Sequence, residues 1–172
     1  MKNNILLIFI ISFSFKCFSQ EKIEWNEVYS DNGIIYTQSD NQIFTGIVQQ
    51  KNKKGHINSE EVYQKGILFK RIYYYNIDYK QIACNETIFD TITHKKLKYL
   101  KYSSDGKRYW ETIFDENEKK KSFSLFENGI ETIHKEYKDN KRNGRWFCIN
   151  EDGTINEFEY KNGKKVKSST KQ

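Results

Sequence analysis

The chain of 172 residues contains no proline, one methionine and only three cysteines. Three cysteines are too few for a disulfide framework. No stretch sustains the 3.6-residue apolar period of an amphipathic helix, which argues against a bundle or an α/β layer. The motifs of common catalytic and metal centres are missing as well. There is no His-Glu-x-x-His, no Cys-x-x-Cys, no calcium loop and no Gly-x-Ser-x-Gly elbow. The histidines His56, His94 and His134 have no metal-ligand spacing to a cysteine or carboxylate, and they read as surface or turn residues. Cys148, between Phe147 and Ile149, has no base to activate it and reads as a strand thiol. No cofactor, metal site or enzymatic activity is expected from these absences.

What is present is a row of turns. Six of the nine glycines follow Asn or Asp: Asn32-Gly33, Asp105-Gly106, Asn128-Gly129, Asn143-Gly144, Asp152-Gly153 and Asn162-Gly163. Such dipeptides accept positive φ at both centres of a two-residue hairpin turn. Gly106, Gly129 and Gly153 stand 23 and 24 residues apart, and each is followed seven or eight positions later by an aromatic residue. The pentapeptide Glu-Thr-Ile-Phe-Asp occurs at 86–90 and again at 111–115. Aromatic residues make up 16% of the chain, which suits strands rather than loops between the turns.

The fold expected is all-β, an open antiparallel meander of repeated β-hairpins. The pairs are 46–50 with 57–63, 69–75 with 81–89, 97–102 with 107–114, 122–126 with 130–137 and 145–149 with 154–160. A degenerate hairpin, 25–29 with 34–37, precedes them. Asp78-Tyr79 stands where Asp-Gly is expected, and residues 90–96 add a longer loop. The chain divides into residues 1–19, a 20–43 strand or hairpin segment, hairpin repeats over 44–165, and a basic tail over 166–172 that reads as a frayed, solubilising end. Two aromatics in succession must point to opposite faces, so both faces carry rings, and one set is expected to form a core where the sheet twists over itself.

Residues 1–19 have the layout of a secretory signal peptide: Lys2, an apolar run over 5–15, and Cys17-Phe18-Ser19 before Gln20. Eleven helical residues reach only about 16 Å, against about 30 Å of hydrocarbon. Export to the periplasm or the extracellular space is expected. A lipid anchor at Cys17 is the poorer fit, because Lys16 precedes the cysteine. Cys84 and Cys148 lie about five strand steps apart, or about 24 Å, too far for a bridge, and read as free, largely buried thiols.

Loss of Lys2 and Lys16 from the 29 basic residues leaves 27 against 23 acidic ones. The excess is modest, and acids and bases interleave, as in Glu131-Thr132-Ile133-His134-Lys135-Glu136. This pattern reads as a solvated face with cross-strand pairs, not as a nucleic-acid interface.

The pattern resembles the MORN-variant repeat (membrane occupation and recognition nexus). The resemblance is carried by Phe126-Glu127-Asn128-Gly129, by the Tyr-Lys-Asp-Asn-Lys-Arg-Asn-Gly run at 137–144, by the segment 146–164 and by the entry Phe44-Thr45-Gly46. It covers most of 25–165. The bacterial members resembled are grouped as YwqK-like antitoxins of toxin–antitoxin modules, which implies a repeat sheet that acts by binding a protein.

Exposed rings are the remaining candidates for function. Tyr73, Tyr75, Tyr109, Trp110, Trp146 and Phe147 are expected to form a stripe that packs a protein partner or stacks on sugar rings. The function expected is an exported, non-enzymatic scaffold for an unidentified protein partner, antitoxin- or immunity-like. The alternative is a binder of the cell-envelope surface, through lipid headgroups or cell-wall glycan.

Overall fold

A computed structural model describes residues 21–77 and 80–171. The signal-peptide and lipid-anchor expectations, and the Asp78-Tyr79 position, lie outside them. The described residues form fourteen strands: β1 (Glu21–Glu24), β2 (Val28–Asp31), β3 (Ile34–Thr37), β4 (Gly46–Lys51), β5 (Ile57–Gln64), β6 (Ile67–Ile77), β7 (Lys80–Phe89), β8 (Lys96–Tyr102), β9 (Arg108–Phe114), β10 (Lys120–Glu127), β11 (Ile130–Lys138), β12 (Lys141–Ile149), β13 (Ile155–Lys161) and β14 (Lys164–Lys171). Twelve strands make one open sheet, in the order β1-β4-β5 and then consecutively to β14. All its pairs are antiparallel except β1, which lies parallel to β4. The meander of hairpins read from the sequence is therefore the fold.

The turns explain the alternation. Asn32-Gly33, Lys65-Gly66, Asn128-Gly129, Asp139-Asn140 and Asn162-Gly163 have positive φ at both residues, the mirror-image geometry that matches strand twist. The Asp-Gly turns differ from the two-residue expectation. At Asp105-Gly106 and Asp152-Gly153 only the glycine has positive φ. There the aspartate carboxylate accepts the N–H two residues on, from Lys107 and Thr154, in a longer Asx-type loop.

Asn143-Gly144 is not a turn at all. It lies inside β12, where the pairing to β11 shifts register. Gly144 has φ +75°, and the Glu136 carboxylate fills the space a Cβ would take. That carboxylate accepts the Arg145 N–H at 2.7 Å.

Two further corrections concern the ends. Trp25–Glu27 forms a 3-10 turn rather than a strand, tied by the Glu24 N–H to the Glu27 carboxylate. The tail is not frayed: as β14 it completes the sheet, pairing from Ile155↔Lys171 to Lys161↔Lys164.

The core sits at one end and does not arise from the sheet closing on itself. The β2–β3 hairpin forms its own two-stranded sheet and lies against β4–β6. Val28, Ile35, Phe44, Val48 and Tyr63 are buried together, with Ile23 and Leu68 packed against them. The backbone stitches the layers, Ile35 N–H to Gly66 O and Gly66 N–H to Phe44 O. Gly66 is required there, because its φ is +76° and a Cβ would collide with Ile34 Cγ2. Beyond β6 no described element covers either face of the sheet.

Candidate binding face

Residues directly opposite each other in neighbouring strands share a face, so the register sorts the side chains. One row starts at Ile23↔Val48↔Glu61↔Arg71 and runs through Thr87 and Tyr99 to Thr112. It continues as Phe123↔Lys135↔Trp146↔Phe158↔Ser168. Val48 in this row is 1% exposed in the core, so this is the face on which the β2–β3 hairpin sits. The adjacent row contains Glu60↔Ile72↔Glu86↔Leu100↔Glu111 and then Ser124↔His134↔Phe147↔Glu157. It defines the far face.

Charge divides between the faces. On the far face five cations have a carboxylate partner. Lys70 pairs with Glu86 at 3.0 Å, Lys98 and Arg108 with Glu111 at 3.4 and 2.9 Å, and Arg145 and Lys171 with Glu157 at 2.8 and 2.6 Å. Lys171 and then Arg145 hold the Glu157 carboxyl below the usual range. Burial, and then the Glu86 charge, pushes the Tyr102 phenol up to about 12.

The hairpin face from β8 to β14 is different. Apart from Glu127, which ends β10 at the sheet's rim, the register places no strand carboxylate there. Its cations lie over rings instead. Lys101 is 5.1 Å from the Trp110 centroid, Lys120 5.5 Å from Tyr137, Lys135 5.4 Å from Trp146, Arg142 4.9 Å from Trp146 and Lys165 5.4 Å from Phe158. Rings link to rings as well, Trp110 to Phe123 at 4.6 Å and Trp146 to Tyr137 and Tyr160 at 5.3 and 4.9 Å. Each cation–ring contact at an exposed site contributes about 0.5–1 kcal/mol. The Trp146 indole N–H donates to Glu136 O at 2.7 Å and fixes the ring's tilt. The result is an unbroken aromatic and basic stripe across seven strands, with five cations that have no acidic partner among the described residues.

The six residues read from the sequence are only partly brought together. Tyr73, Tyr75, Trp110 and Trp146 lie on the hairpin face, with Tyr73 exposed at 44%. Tyr109 occupies the register shift beside Trp110. The Tyr75 phenol is raised first by the Cys84 thiol, then by burial, and least by Tyr109 and Tyr99. Phe147 is a correction: it follows Trp146 in an extended strand, so the pleat turns it to the far face, where it stacks on His134 at 5.8 Å. Tyr99, Phe123, Tyr137, Phe158 and Tyr160 belong to the stripe and were missed, as were its cations. The signal for both was the two-residue alternation of charge.

One cluster has the membership of a hydrolytic triad. Ser124 Oγ is 3.1 Å from His134 Nδ1, and Glu131 is 2.9 Å from the same nitrogen. A relay needs the hydroxyl and the carboxylate hydrogen-bonded to opposite ring nitrogens. Glu131 shares Nδ1 with Ser124, and Glu136 Oε1 faces Nε2 at 3.6 Å, beyond hydrogen-bond distance, so the three groups orient the ring in the sheet. Burial raises the Glu131 carboxyl, but hydrogen bonds from Ser124 and His134 bring it below its usual range. His134 is thus half-buried in the sheet, not a surface residue. Cys84 and Cys148 are free and half-buried rather than largely buried. No group of three or more His, Cys, Asp or Glu among the described residues is arranged to hold a metal ion.

No family model matches this chain. No curated protein matches it either. Among solved structures it is similar to a chain of the GtfA/B complex bound to UDP and GlcNAc, at 13% identity and a TM-score of 0.47, over 81% of this chain and 27% of that one. It is also similar to a chain of the accessory secretory protein 1, 2 and 3 assembly of Streptococcus pneumoniae, at 11% identity and a TM-score of 0.25, over 83% and 22%. The chain spans about a quarter of the length of either protein.

Proposed function

We propose that the chain is an exported, non-enzymatic scaffold that binds a macromolecular component of the cell envelope across its open sheet face. The observation that carries this reading is the hairpin-side stripe of β8–β14. It combines rings with unpaired cations and is covered by no described element. Phe123 is buried and the other rings of the stripe are half-buried; an uncovered face of part-buried rings beside charged groups is a recurrent mark of interaction surfaces.

The resemblance to MORN-variant repeats and YwqK-like antitoxins supports a protein partner. The absence of strand carboxylates from the stripe favours the other form of the reading, an anionic envelope component. The test is capture from native envelope extract by the purified chain, comparing wild type with K101E/K135E on the stripe and K167E on the far face. Loss of capture in the stripe variant alone supports the reading. Equal capture by all three would overturn it.

A further inference from the structure

We infer that the stripe is a track for an acidic polysaccharide, a linear polymer of uronic or otherwise anionic sugars. The inference rests on the binding-scaffold reading and names its ligand class.

Shape argues first. The stripe runs from Tyr99 on β8 to Lys165 on β14, six strand steps or about 29 Å, and two to three same-face residues make it only about 14 Å wide. Roughly 400 Å² of footprint falls short of the ~800 Å² per partner that stable protein interfaces bury. Four of its five cations are lysines, a residue depleted at such interfaces. At the usual twist of about 20° per strand, the face turns through roughly a third of a turn over its length. A flat lipid surface can meet only part of such a face, whereas a flexible chain can follow it.

Chemistry argues second. The five cations recur along the whole length, on β8, β10, β11, β12 and β14, so the ligand they complement carries anionic groups along its length. The rings between them cross at 50–77° rather than lying parallel. Successive bases of a single-stranded nucleic acid need open, flat ring faces on which to stack. The C–H faces of sugar rings pack on tilted rings and ring edges alike. Lysine ammonium groups over the rings supply point charges for carboxylate or sulfate groups beside those contacts.

The experiment is titration calorimetry of the purified chain against polygalacturonate, with neutral dextran, a single-stranded thymidine oligomer and phosphatidylglycerol vesicles as rival ligands. The expected result is saturable binding to polygalacturonate and none to dextran. Binding should weaken about tenfold or more between about 0.01 M and about 0.15 M salt. Two arginines three residues apart on β12 make the structural control. K135Q/R142Q, on the stripe, should weaken binding about tenfold, and R145Q, on the far face, should leave it unchanged. W146F, which keeps a ring in place, should cost a few-fold.

Tighter binding to the oligomer or the vesicles would overturn the inference, as would equal losses in R145Q and K135Q/R142Q. Absence of binding to polygalacturonate, with stripe-dependent capture from envelope extract intact, would sink the glycan assignment and leave the scaffold reading standing. Loss of both would sink both.

Discussion

The first third of the chain and the remainder are stabilised in different ways. Around β1–β6 the small hairpin sheet lies on the large one, and Phe44 and Val48 are 2% and 1% exposed between them. From β7 onward there is a single layer, in which the most buried side chains, Leu100, Thr112, Phe123 and Ser124, still keep 4–8% exposure. The first region is a core that happens to be made of strands. The second is a set of cross-strand ladders, in which ring contacts and ion pairs replace a core. A protein can leave both faces of a sheet open if each strand is held by its two neighbours, and open faces are what a binding surface requires.

The comparison breaks most readily at the core. Phe44→Ala should destabilise the protein by about 3–5 kcal/mol, whereas Trp146→Ala, which removes a half-buried ring, should cost about 1–2 kcal/mol. Urea unfolding followed by tyrosine fluorescence and far-UV circular dichroism checks both, and equal losses would show that the single layer has a core of its own. Native-state hydrogen exchange should show the same asymmetry, with the slowest amides in β4 and β5 and protection falling toward β14. Uniform protection across the sheet would contradict it.

Glycine substitutions sharpen the contrast. Gly66→Ala meets Ile34 and the Ile35 carbonyl as well as the positive φ, while Gly153→Ala meets open space. The first should cost about 2–4 kcal/mol and the second about 1–2 kcal/mol, the backbone penalty alone. Thermal melts of the two variants decide it.

A smaller effect separates two carboxylates. Burial raises Glu60, but hydrogen bonds from Tyr74 and Gln49 and the Lys22 ammonium hold it below its ordinary value of 4.5. A depressed carboxyl contributes stability above that value and loses it as pH falls through the folded-state value. The wild type should therefore lose its advantage over Glu60→Gln on acidification below pH 4.5. Glu157→Gln, at an exposed pair, should change the acid limb much less. Urea midpoints measured across the acid range test the ordering.

The meander was legible because the residues that form the turns are unusual. Asn-Gly and Asp-Gly punctuate the chain, and five of the six such turns are where the dipeptides place them. Asn143-Gly144 misled because the same left-handed glycine serves a bulge when a carboxylate, here that of Glu136, occupies its Cβ space. The overlying hairpin was not legible, since Phe44 and Ile35 announce burial but not the strand they bury against. The stripe was half legible. Aromatic residues stand out in the sequence, and strict alternation puts Phe147 behind Trp146. Glu131 and Lys135, however, are four residues apart, and only the register shift at Thr132 sends them to opposite faces. Charges that interleave along a strand segregate across it, and an apparently neutral mixture becomes one paired face and one basic face.

The strand order has a consequence for how such a chain changes length. From β5 onward every strand pairs only with its neighbours in sequence. Duplication or loss of one hairpin unit therefore moves no other contact. It lengthens or shortens the sheet by two strand spacings, about 10 Å, and advances the stripe by one more set of rings and charges. The pentapeptide at 86–90 recurs at 111–115, two strands further along the sheet. The molecule behaves as a ruler graduated in hairpins, its reach set by unit number and its zero mark fixed by the capped end at β1.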